Sequence, residues 1–338
     1  MLYVLLAILL FGLLIFVHEL GHFLMARLFK VKVNEFSIGM GPKLISKKSE
    51  KTDTTYSLRI LPIGGFVSME GEDESSQNSG AFCNKPVWQR MIITAAGAAF
   101  NILLGILVMT VIMASTTLVS NRVGQFNEGA LSAEKIQIDD TIVNVAGVAT
   151  HTANQVSYAV QRFGIKPVDV TVIRNGERVV LHDVSFPTTI ADGHIFGDLD
   201  MRFYQEGKTV FTLIKHSACQ SFMMIRLVFD SLRDLIVGEY NLTDLSGPIG
   251  IVDVVSQAAQ KDFSSVWTYF VLLAMNLGVV NLLPFPALDG GRILFMLIEI
   301  ICRRPVPKKV EAVIHTVGLA LLMMLMLFVA VKDVINLF

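Results

Sequence analysis

The chain has 338 residues, of which 53% are hydrophobic and only 17% are charged, and its mean hydropathy is +0.58. Soluble domains have about a quarter of their residues charged, so this composition favours a membrane protein. A net charge of −1 gives no indication of a nucleic-acid partner. The three cysteines, at positions 83, 219 and 302, are odd in number and far apart, which argues against a disulfide framework and a cysteine-based zinc site.

Four apolar runs are near the length of roughly 20 residues that a transmembrane helix needs. They cover about residues 2–25, 91–119, 266–283 and 310–331. The first run is not expected to be a cleaved signal peptide, because no basic side chain precedes it and it lacks an Ala-x-Ala cleavage site. The sequence therefore predicts four membrane crossings.

The distribution of basic residues predicts the orientation of these crossings. Arg27, Lys30 and Lys32 follow the first run, and residues 303–309, between the third and fourth runs, contain two arginines and two lysines. The positive-inside rule places such loops in the cytoplasm, so both termini are predicted to lie outside.

The predicted fold class is a polytopic α-helical membrane protein with four transmembrane helices. It includes a cytoplasmic β-rich segment associated with the membrane and an external α+β domain. The predicted segments are transmembrane helix 1 at 1–26, a cytoplasmic loop with the β-rich segment at 27–87, transmembrane helix 2 at 88–119, the external α+β domain at 120–190, an external amphipathic helical region at 191–262, transmembrane helix 3 at 263–290, a cytoplasmic-side segment at 291–309, and transmembrane helix 4 with an external C-terminus at 310–338.

The first span contains an H-E-x-x-H motif formed by His18, Glu19 and His22. Positions i and i+4 of a helix lie on one face, so the two imidazoles can bind one zinc ion. Glu19 is then close enough to act as a base on a zinc-bound water. A chance pentapeptide is the alternative. However, an ionisable residue inside a bilayer costs about 2.5–3.5 kcal/mol, and a bound metal would offset that cost.

Asp289 is the candidate for the third protein ligand that a catalytic zinc site needs. His18 lies about 24 Å along the helix from the outer end of the first span, in the cytoplasmic part of the membrane. The third span descends from outside and reaches Pro284 after a similar length, where prolines break the helix. An ordinary turn aspartate before Gly290 and Gly291 is the alternative. Opposite an intramembrane H-E-x-x-H motif, the sequence favours a ligand.

Four further polar residues lie within or near the apolar runs. Asn281 could hydrogen-bond the substrate backbone or the oxygen of a tetrahedral intermediate, or could equally join two helices. Asn101 lies four residues after Gly97 and is interpreted as structural. His315 is interpreted as a packing histidine and Glu299 as an interfacial residue.

The soluble segments have contrasting patterns. Residues 54–69 are β-rich and apolar, and their edge could hold an extended peptide by strand addition, although a plain hairpin is the alternative. Residues 70–80 form an acidic loop. Residues 123–184 alternate short apolar stretches with turns, which predicts a small α+β module. Residues 207–240 have helical periodicity, typical of an amphipathic helix on the outer membrane face or packed against that module.

Five motifs together resemble the site-2 protease family of intramembrane metalloproteases, specifically its bacterial RseP-like branch. The resemblance covers nearly the whole chain, and residues 123–184 resemble the PDZ domain of that family. Many members carry Gly-Pro-x-x-Asn in the second span, whereas this chain has Gly-Ala-Ala-Phe-Asn at 97–101. The motifs lie at residues 18–22, 36–42, 62–66, 246–250 and 281–291.

The resemblance implies roles for individual residues. It implies Zn²⁺ as the cofactor, with His18, His22 and Asp289 as ligands. It implies that Glu19 is the catalytic base and that Asn281 contacts the substrate at the catalytic site. The residues implied in substrate binding by strand addition are Gly64, Gly65, Phe66 and Asn281.

The resemblance also implies partners and a location. The implied substrates are single-span membrane proteins, often anti-sigma factors or signal-peptide remnants, which are cut within the lipid bilayer. The PDZ-like module would act as a size filter or as a docking site for peptides. The implied location is the inner (cytoplasmic) membrane, with several crossings and the active site toward the cytoplasmic side.

Two other functions compete with the protease. A membrane-anchored binding protein could hold a structural metal, but such a site has four closed ligands and no extra carboxylate like that of Glu19. A transporter would place ionisable residues along a path, but the chain has no visible inverted repeat and carries a large external module. Histidine and carboxylate ligands do not select zinc alone, so another divalent ion is also compatible with the motif.

Overall fold

The computed structural model describes residues 2–72, 74–191, 193–239 and 247–336. The chain forms two compact units: unit 1 comprises Met1–Val108 and Ile225–Phe338, and unit 2 comprises Met109–Met224. The motif at residues 246–250 begins at Ser246, which lies outside the described residues.

The described residues form eight α-helices and ten β-strands. The helices are α1 Leu2–Leu28, α2 Val87–Ser115, α3 Ala153–Phe163, α4 Val210–Val237, α5 Pro248–Lys261, α6 Phe263–Asn281, α7 Asp289–Cys302 and α8 Lys308–Asn336. The strands are β1 Val33–Lys48, β2 Thr55–Met69, β3 Val119–Phe126, β4 Thr141–Val145, β5 Val148–Ala149, β6 Val168–Arg174, β7 Glu177–Val184, β8 Thr188–Ala191, β9 His194–Gly197 and β10 Met201–Gln205.

Four of the helices in the described part of the chain are long and apolar enough to cross a membrane. They comprise Tyr3–Leu28, Val87–Ser115, Ser264–Asn281 and Lys308–Ile335. These segments overlap the four apolar runs, so the prediction is confirmed to the extent of four candidate membrane-spanning helices. A helix of about 20 residues spans about 30 Å, the thickness of the hydrocarbon core.

Helix α6 is shorter than the predicted transmembrane helix at 263–290. It ends at Asn281, and a second helix, α7, begins at Asp289 and runs through most of the predicted cytoplasmic-side segment 291–309. Pro284 and Pro286 explain the interruption, because proline has no backbone N–H and its ring clashes with the preceding helical turn. Asp289 therefore lies in the first turn of α7, after the break that the two prolines predict.

Strands β1 and β2 of unit 1 form one antiparallel sheet from two long, bent strands. Residues 35–38 of β1 pair with residues 55–58 of β2 on one side and with residues 65–68 on the other. Gly39, Gly41 and Gly64 have positive φ values, which permit the bends. The last part of β2, from Gly65 onward, therefore forms an outer edge of this sheet and faces α1, where Val67 contacts Glu19.

Unit 2 contains a six-stranded sheet in the order β10-β3-β4-β6-β7, with β5 pairing β4. Its core lies between this sheet and α3 and includes Val123, Ile142, Val156 and Val170, all fully buried. The Asn-Gly turn at 175–176 joins β6 and β7, as the sequence indicates for a hairpin.

The predicted boundary between an α+β domain at 120–190 and a helical region at 191–262 is wrong. The sheet extends to β10, whose Arg202 pairs with Gln125 of β3, and β8 pairs with β9. The pairing of a strand with a partner far along the chain cannot be recognised from the pattern of the local sequence. The helix predicted from the periodicity of residues 207–240 is present as α4, and α5 follows it in the described part of this region.

Candidate metal centre

Helix α1 places His18 and His22 one turn apart on the same buried face, each with 8% of its surface exposed. Their Nε2 atoms lie 3.1 Å apart. The other ring nitrogen of His22, Nδ1, lies 2.9 Å from the carbonyl oxygen of Ile93 in α2. That hydrogen bond makes Nδ1 the donor and leaves Nε2 as a lone-pair ligand.

Asp289 brings a carboxylate to the same point from α7. Its Oδ2 atom lies 3.1 Å from Nε2 of His18 and 3.4 Å from Nε2 of His22. The loop between α6 and α7 holds this residue in place, because Gly290 lies so close to the carbonyl of Leu283 that any side chain would overlap it. The three side chains therefore converge from two helices that are distant in sequence.

The dimensions of this triangle fit a tetrahedral metal ion. Zinc bonds to nitrogen and oxygen of about 2.0–2.1 Å place neighbouring ligand atoms about 3.3 Å apart. The side chains of His18, His22 and Asp289 match that spacing. In addition, Oδ2 of Asp289 is buried without a hydrogen bond, which would be costly unless a cation compensates it.

Glu19 lies beside the triangle. Its Oε2 atom accepts a hydrogen bond from the backbone N–H of Val67 at 3.1 Å, which connects α1 to the outer edge of β2. A cavity of about 330 Å³ contains Glu19 together with His18, His22 and Asp289. The carboxylate thus shares one space with the three candidate ligands without being part of their triangle.

The predicted substrate-binding residues differ in their position relative to this cavity. Asn281 and Phe66 both line it. Gly65 lies next to Glu19, whose Cγ is 3.6 Å from the place a Cβ would occupy. Gly64 instead lies against the side chain of Met40, with a φ of +84°. Gly64, Gly65 and Phe66 thus lie in the latter part of β2, and Asn281 is the last residue of α6.

Two glycines make the site possible, and sequence reasoning assigned neither of them a role at the metal site. A Cβ at Gly97 of α2 would overlap Nε2 of His22 and lie 2.8 Å from Cε1 of His18. A Cβ at Gly21 of α1 would lie 2.5 Å from the carbonyl oxygen of Ala96. The two helices therefore approach glycine to glycine. A glycine inside an apolar helix is the sequence signal for such an approach.

Comparison with known proteins places the chain in a family. Residues 6–325 match peptidase family M50. The chain belongs to this family. An M50 relative from Clostridium acetobutylicum, named as a zinc metalloprotease, is 34% identical over 334 residues, which cover 98% of this chain and 97% of the relative. RasP of Bacillus subtilis, named as the regulator of sigma-W protease, is 29% identical over 420 aligned residues, which cover 98% of each protein.

The family confirms the enzyme class and the cofactor. This M50 peptidase is a zinc metalloprotease of the site-2 protease type, as its motifs indicated. Its four apolar helices and its RasP relatives make it a membrane protein. The roles of individual residues and the PDZ-like character of unit 2 stay predictions.

Two polar residues of the M50 peptidase, His315 and Glu299, have more specific contacts than the sequence suggested. His315 of α8 accepts a hydrogen bond at Nδ1 from the backbone N–H of Ala287, in the loop before Asp289. Glu299 of α7 forms an ion pair with Arg90 of α2, with an N–O distance of 2.6 Å. The interpretations of His315 as a packing residue and of Glu299 as merely interfacial are therefore incomplete.

Proposed function

We propose that this M50 peptidase hydrolyses a peptide bond within or near the transmembrane segment of single-span membrane proteins. The observation that carries the proposal is the triangle of His18, His22 and Asp289 with Glu19 in the same cavity, built from helices long enough to cross a membrane. His18, His22 and Asp289 are the proposed zinc ligands. Anti-sigma factors or signal-peptide remnants are the proposed substrates, and the name of the RasP relative supports a role in sigma-factor regulation.

The proposed chemistry assigns a separate task to each side chain. When bound, Zn²⁺ supplies Lewis acidity and lowers the pKa of a coordinated water to about 7. Glu19 accepts the proton of the attacking water and passes it to the leaving amine. The Val67 N–H holds Oε2 of Glu19, so the carboxylate has a fixed orientation. Asn281 lines the same cavity and can donate a hydrogen bond to the carbonyl oxygen of the scissile bond.

A helical substrate must be extended before its peptide bond is accessible. We infer that residues Gly64, Gly65 and Phe66 bind the unwound segment by strand addition to the outer edge of β2. The support is that this edge borders the cavity and that the next amide, of Val67, faces away from β1 toward Glu19. Backbone pairing holds a peptide in an extended form with little dependence on its sequence.

The proposed location is the inner (cytoplasmic) membrane, with both termini external. Arg27, Lys30 and Lys32 at the end of α1 support a cytoplasmic placement of that end. Because His18 lies near the same end of α1, the active site would face the cytoplasmic half of the membrane. Unit 2, a small α+β domain of the size of a PDZ module, would then be external and dock peptides or partners.

Cleavage of a tagged single-span substrate in proteoliposomes tests the proposal. We expect the wild type to cut within the membrane segment, and Glu19→Gln to lower the rate by about 10²–10⁴-fold, as for loss of a general base. A chelator should abolish cleavage until zinc is restored. Glu311→Gln in α8, outside the cavity of the site, is the matched control and should keep wild-type activity.

Two results would contradict the proposal. Full activity of Glu19→Gln with a normal zinc content would remove Glu19 from the mechanism. Cleavage only at sites outside the membrane segment would replace intramembrane proteolysis with proteolysis of an exposed chain.

A further inference from the structure

Asn101 is a fully buried polar residue in the middle of α2, with 0% of its surface exposed. Its Nδ2 atom lies 3.3 Å from Nδ1 of His18. Its other polar atom, Oδ1, is buried without a hydrogen-bond partner. An unsatisfied amide oxygen in the interior of a transmembrane helix is costly, so its placement requires a reason.

The chemistry of His18 supplies that reason. If Nε2 of His18 is a metal ligand, it must carry the lone pair, and the ring proton must then be on Nδ1. The Nδ1–H group is a donor, and it faces Asn101. A half-turn of the amide about its Cβ–Cγ bond exchanges Nδ2 and Oδ1, which brings an acceptor to the donor. That exchange pairs the amide oxygen with the ring N–H and moves Nδ2 to the position that Oδ1 held.

The neighbouring histidine has an equivalent arrangement built from the main chain. His22 uses Nδ1 to contact the carbonyl oxygen of Ile93, two helical turns before Asn101 on the same helix. Helix α2 therefore provides the groups that contact Nδ1 of both imidazoles. The acceptor for His22 is a backbone atom that no substitution removes, whereas the acceptor for His18 depends on one side chain.

We propose that Asn101 is a positioning residue for the metal site. Its amide oxygen accepts a hydrogen bond from Nδ1–H of His18, which fixes the tautomer and the plane of the ring so that Nε2 points at the metal. The proposal rests on the ligand role of His18 proposed above. It replaces the interpretation of Asn101 as a merely structural residue, because the side chain contacts the metal-site histidine itself.

Zinc affinity of the full-length protein in detergent tests this role without relying on proteolysis. Asn101→Leu keeps the branched shape and the number of side-chain heavy atoms and removes the acceptor, and Asn101→Asp restores an acceptor. We expect Asn101→Leu to raise the dissociation constant for zinc by about 10–100-fold, the usual cost of losing such a partner. Asn101→Asp should bind zinc nearly as tightly as the wild type, because a carboxylate accepts the same hydrogen bond.

Two controls separate positioning from folding and from failure of the ligand assignment. Ser256→Ala in α5 removes a hydroxyl that, like the amide oxygen of Asn101, is buried without a partner, and it should leave the zinc affinity unchanged. His18→Ala should lose zinc binding. Far-UV circular dichroism and gel filtration establish that each variant is folded, and the visible spectrum of bound Co²⁺ reports changes in ligand geometry.

The outcomes are distinct. If Asn101→Leu binds zinc like the wild type, or if Asn101→Asp is as weak as Asn101→Leu while folded, acceptance from His18 is not the role of Asn101 and the proposal is wrong. If His18→Ala retains wild-type zinc affinity, the ligand assignment itself fails, and the positioning role fails with it. Weak binding by Asn101→Leu, recovery by Asn101→Asp and loss in His18→Ala support both.

Discussion

Gly97 leaves the space in which the two imidazoles of α1 lie. A Cβ at this position would overlap Nε2 of His22 and approach Cε1 of His18 to 2.8 Å. The obstacle is not a flexible side chain, because His22 is also tied to the carbonyl oxygen of Ile93. An added methyl group should therefore displace the side chains of the metal site rather than disrupt the helix.

Gly97→Ala is expected to abolish zinc binding while the protein remains folded. In a helix interior the substitution alone would stabilise by about 1 kcal/mol, so a loss of function could not be attributed to helix propensity. Zinc per chain, measured by elemental analysis after gel filtration, checks this outcome. Gly105→Ala on the same helix is the control, because its methyl group would overlap only the flexible end of Met275 and make an ordinary contact with Ala274. One zinc per chain in Gly97→Ala would refute the steric argument.

The sequence predicted the members of the site better than the contacts that hold them. His18 and His22 follow from helical spacing, and the depth argument brought Asp289 to the same level, where the structure has its Oδ2 atom 3.1 Å from His18. The contacts of Val67 and Gly97 with the site could not be predicted, because they depend on how distant elements pack. Ligation by the three side chains itself stays a prediction.

Helix α8 holds the loop that carries Asp289 in place. Gly318 lies so close to Pro286 that a Cβ would overlap it and come within 2.9 Å of the Pro286 backbone. One turn earlier, His315 accepts a hydrogen bond from the N–H of Ala287, whose φ is +75°. A non-glycine residue rarely adopts such a conformation without support from its surroundings.

Gly318→Leu is expected to weaken zinc binding, although the residue is far from the metal in sequence and touches none of the candidate ligands. The larger side chain would push Pro286 and Ala287 away from α8 and so displace Asp289 from the triangle. Zinc titration in detergent measures the effect, with a weakening of about 10-fold or more expected, as for loss of a supporting contact. Leu319→Ala, at an exposed position of α8, is the control. Unchanged affinity in Gly318→Leu would show that the loop holds Asp289 without α8.

The sheet formed by β1 and β2 depends on an ionised carboxylate. Partial burial opposes ionisation of Glu35, but hydrogen bonds from Ser57, Lys43 and Arg59 outweigh it and lower the pKa of Glu35 to about 2, from an ordinary value of 4.5. Because the pKa is lower in the folded state, the stabilisation is complete above about pH 4.5 and is lost as the pH falls toward about 2.

Glu35→Gln should therefore destabilise the protein most above about pH 5, and its difference from the wild type should narrow below about pH 4.5. Melting temperatures of both proteins in detergent between about pH 3 and pH 7 measure that difference. A gap of constant size over this range would mean that the charge of Glu35 contributes nothing to the sheet.

Composition and local sequence pattern predicted the long apolar helices better than they predicted the sheet of unit 2. Four transmembrane helices follow from apolar length alone, since the bilayer imposes that length on any helix that crosses it. The sheet of unit 2 was predicted only in part. Its strand β10 pairs with β3, which lies far from it in the sequence, as in the pair of Phe203 with Val123. Such long-range pairing has no signature in a local window of sequence.

Unit 2 has its own core, and residues 119–206 are therefore expected to fold when expressed alone. The buried core residues run from Val123 to Met201, so the fragment contains all of them. A domain with a self-contained core generally folds independently. Cooperative thermal unfolding of the fragment, followed by circular dichroism, checks this expectation. A fragment without a cooperative transition would show that the sheet needs the rest of the chain.

Within that fragment, Arg174→Ala should be strongly destabilising. The side chain of Asp140 is only 1% exposed, and Arg174 donates to both of its oxygens, at 2.8 and 2.7 Å. Removing the arginine leaves a buried carboxylate without its cation, which costs about 3–5 kcal/mol. Urea unfolding of the fragment measures the free energy, with Arg178→Ala at an exposed position of β7 as the control. Equal stability of the two variants would mean that the remaining contact of Asp140, with the N–H of Gln137, is enough to hold the carboxylate.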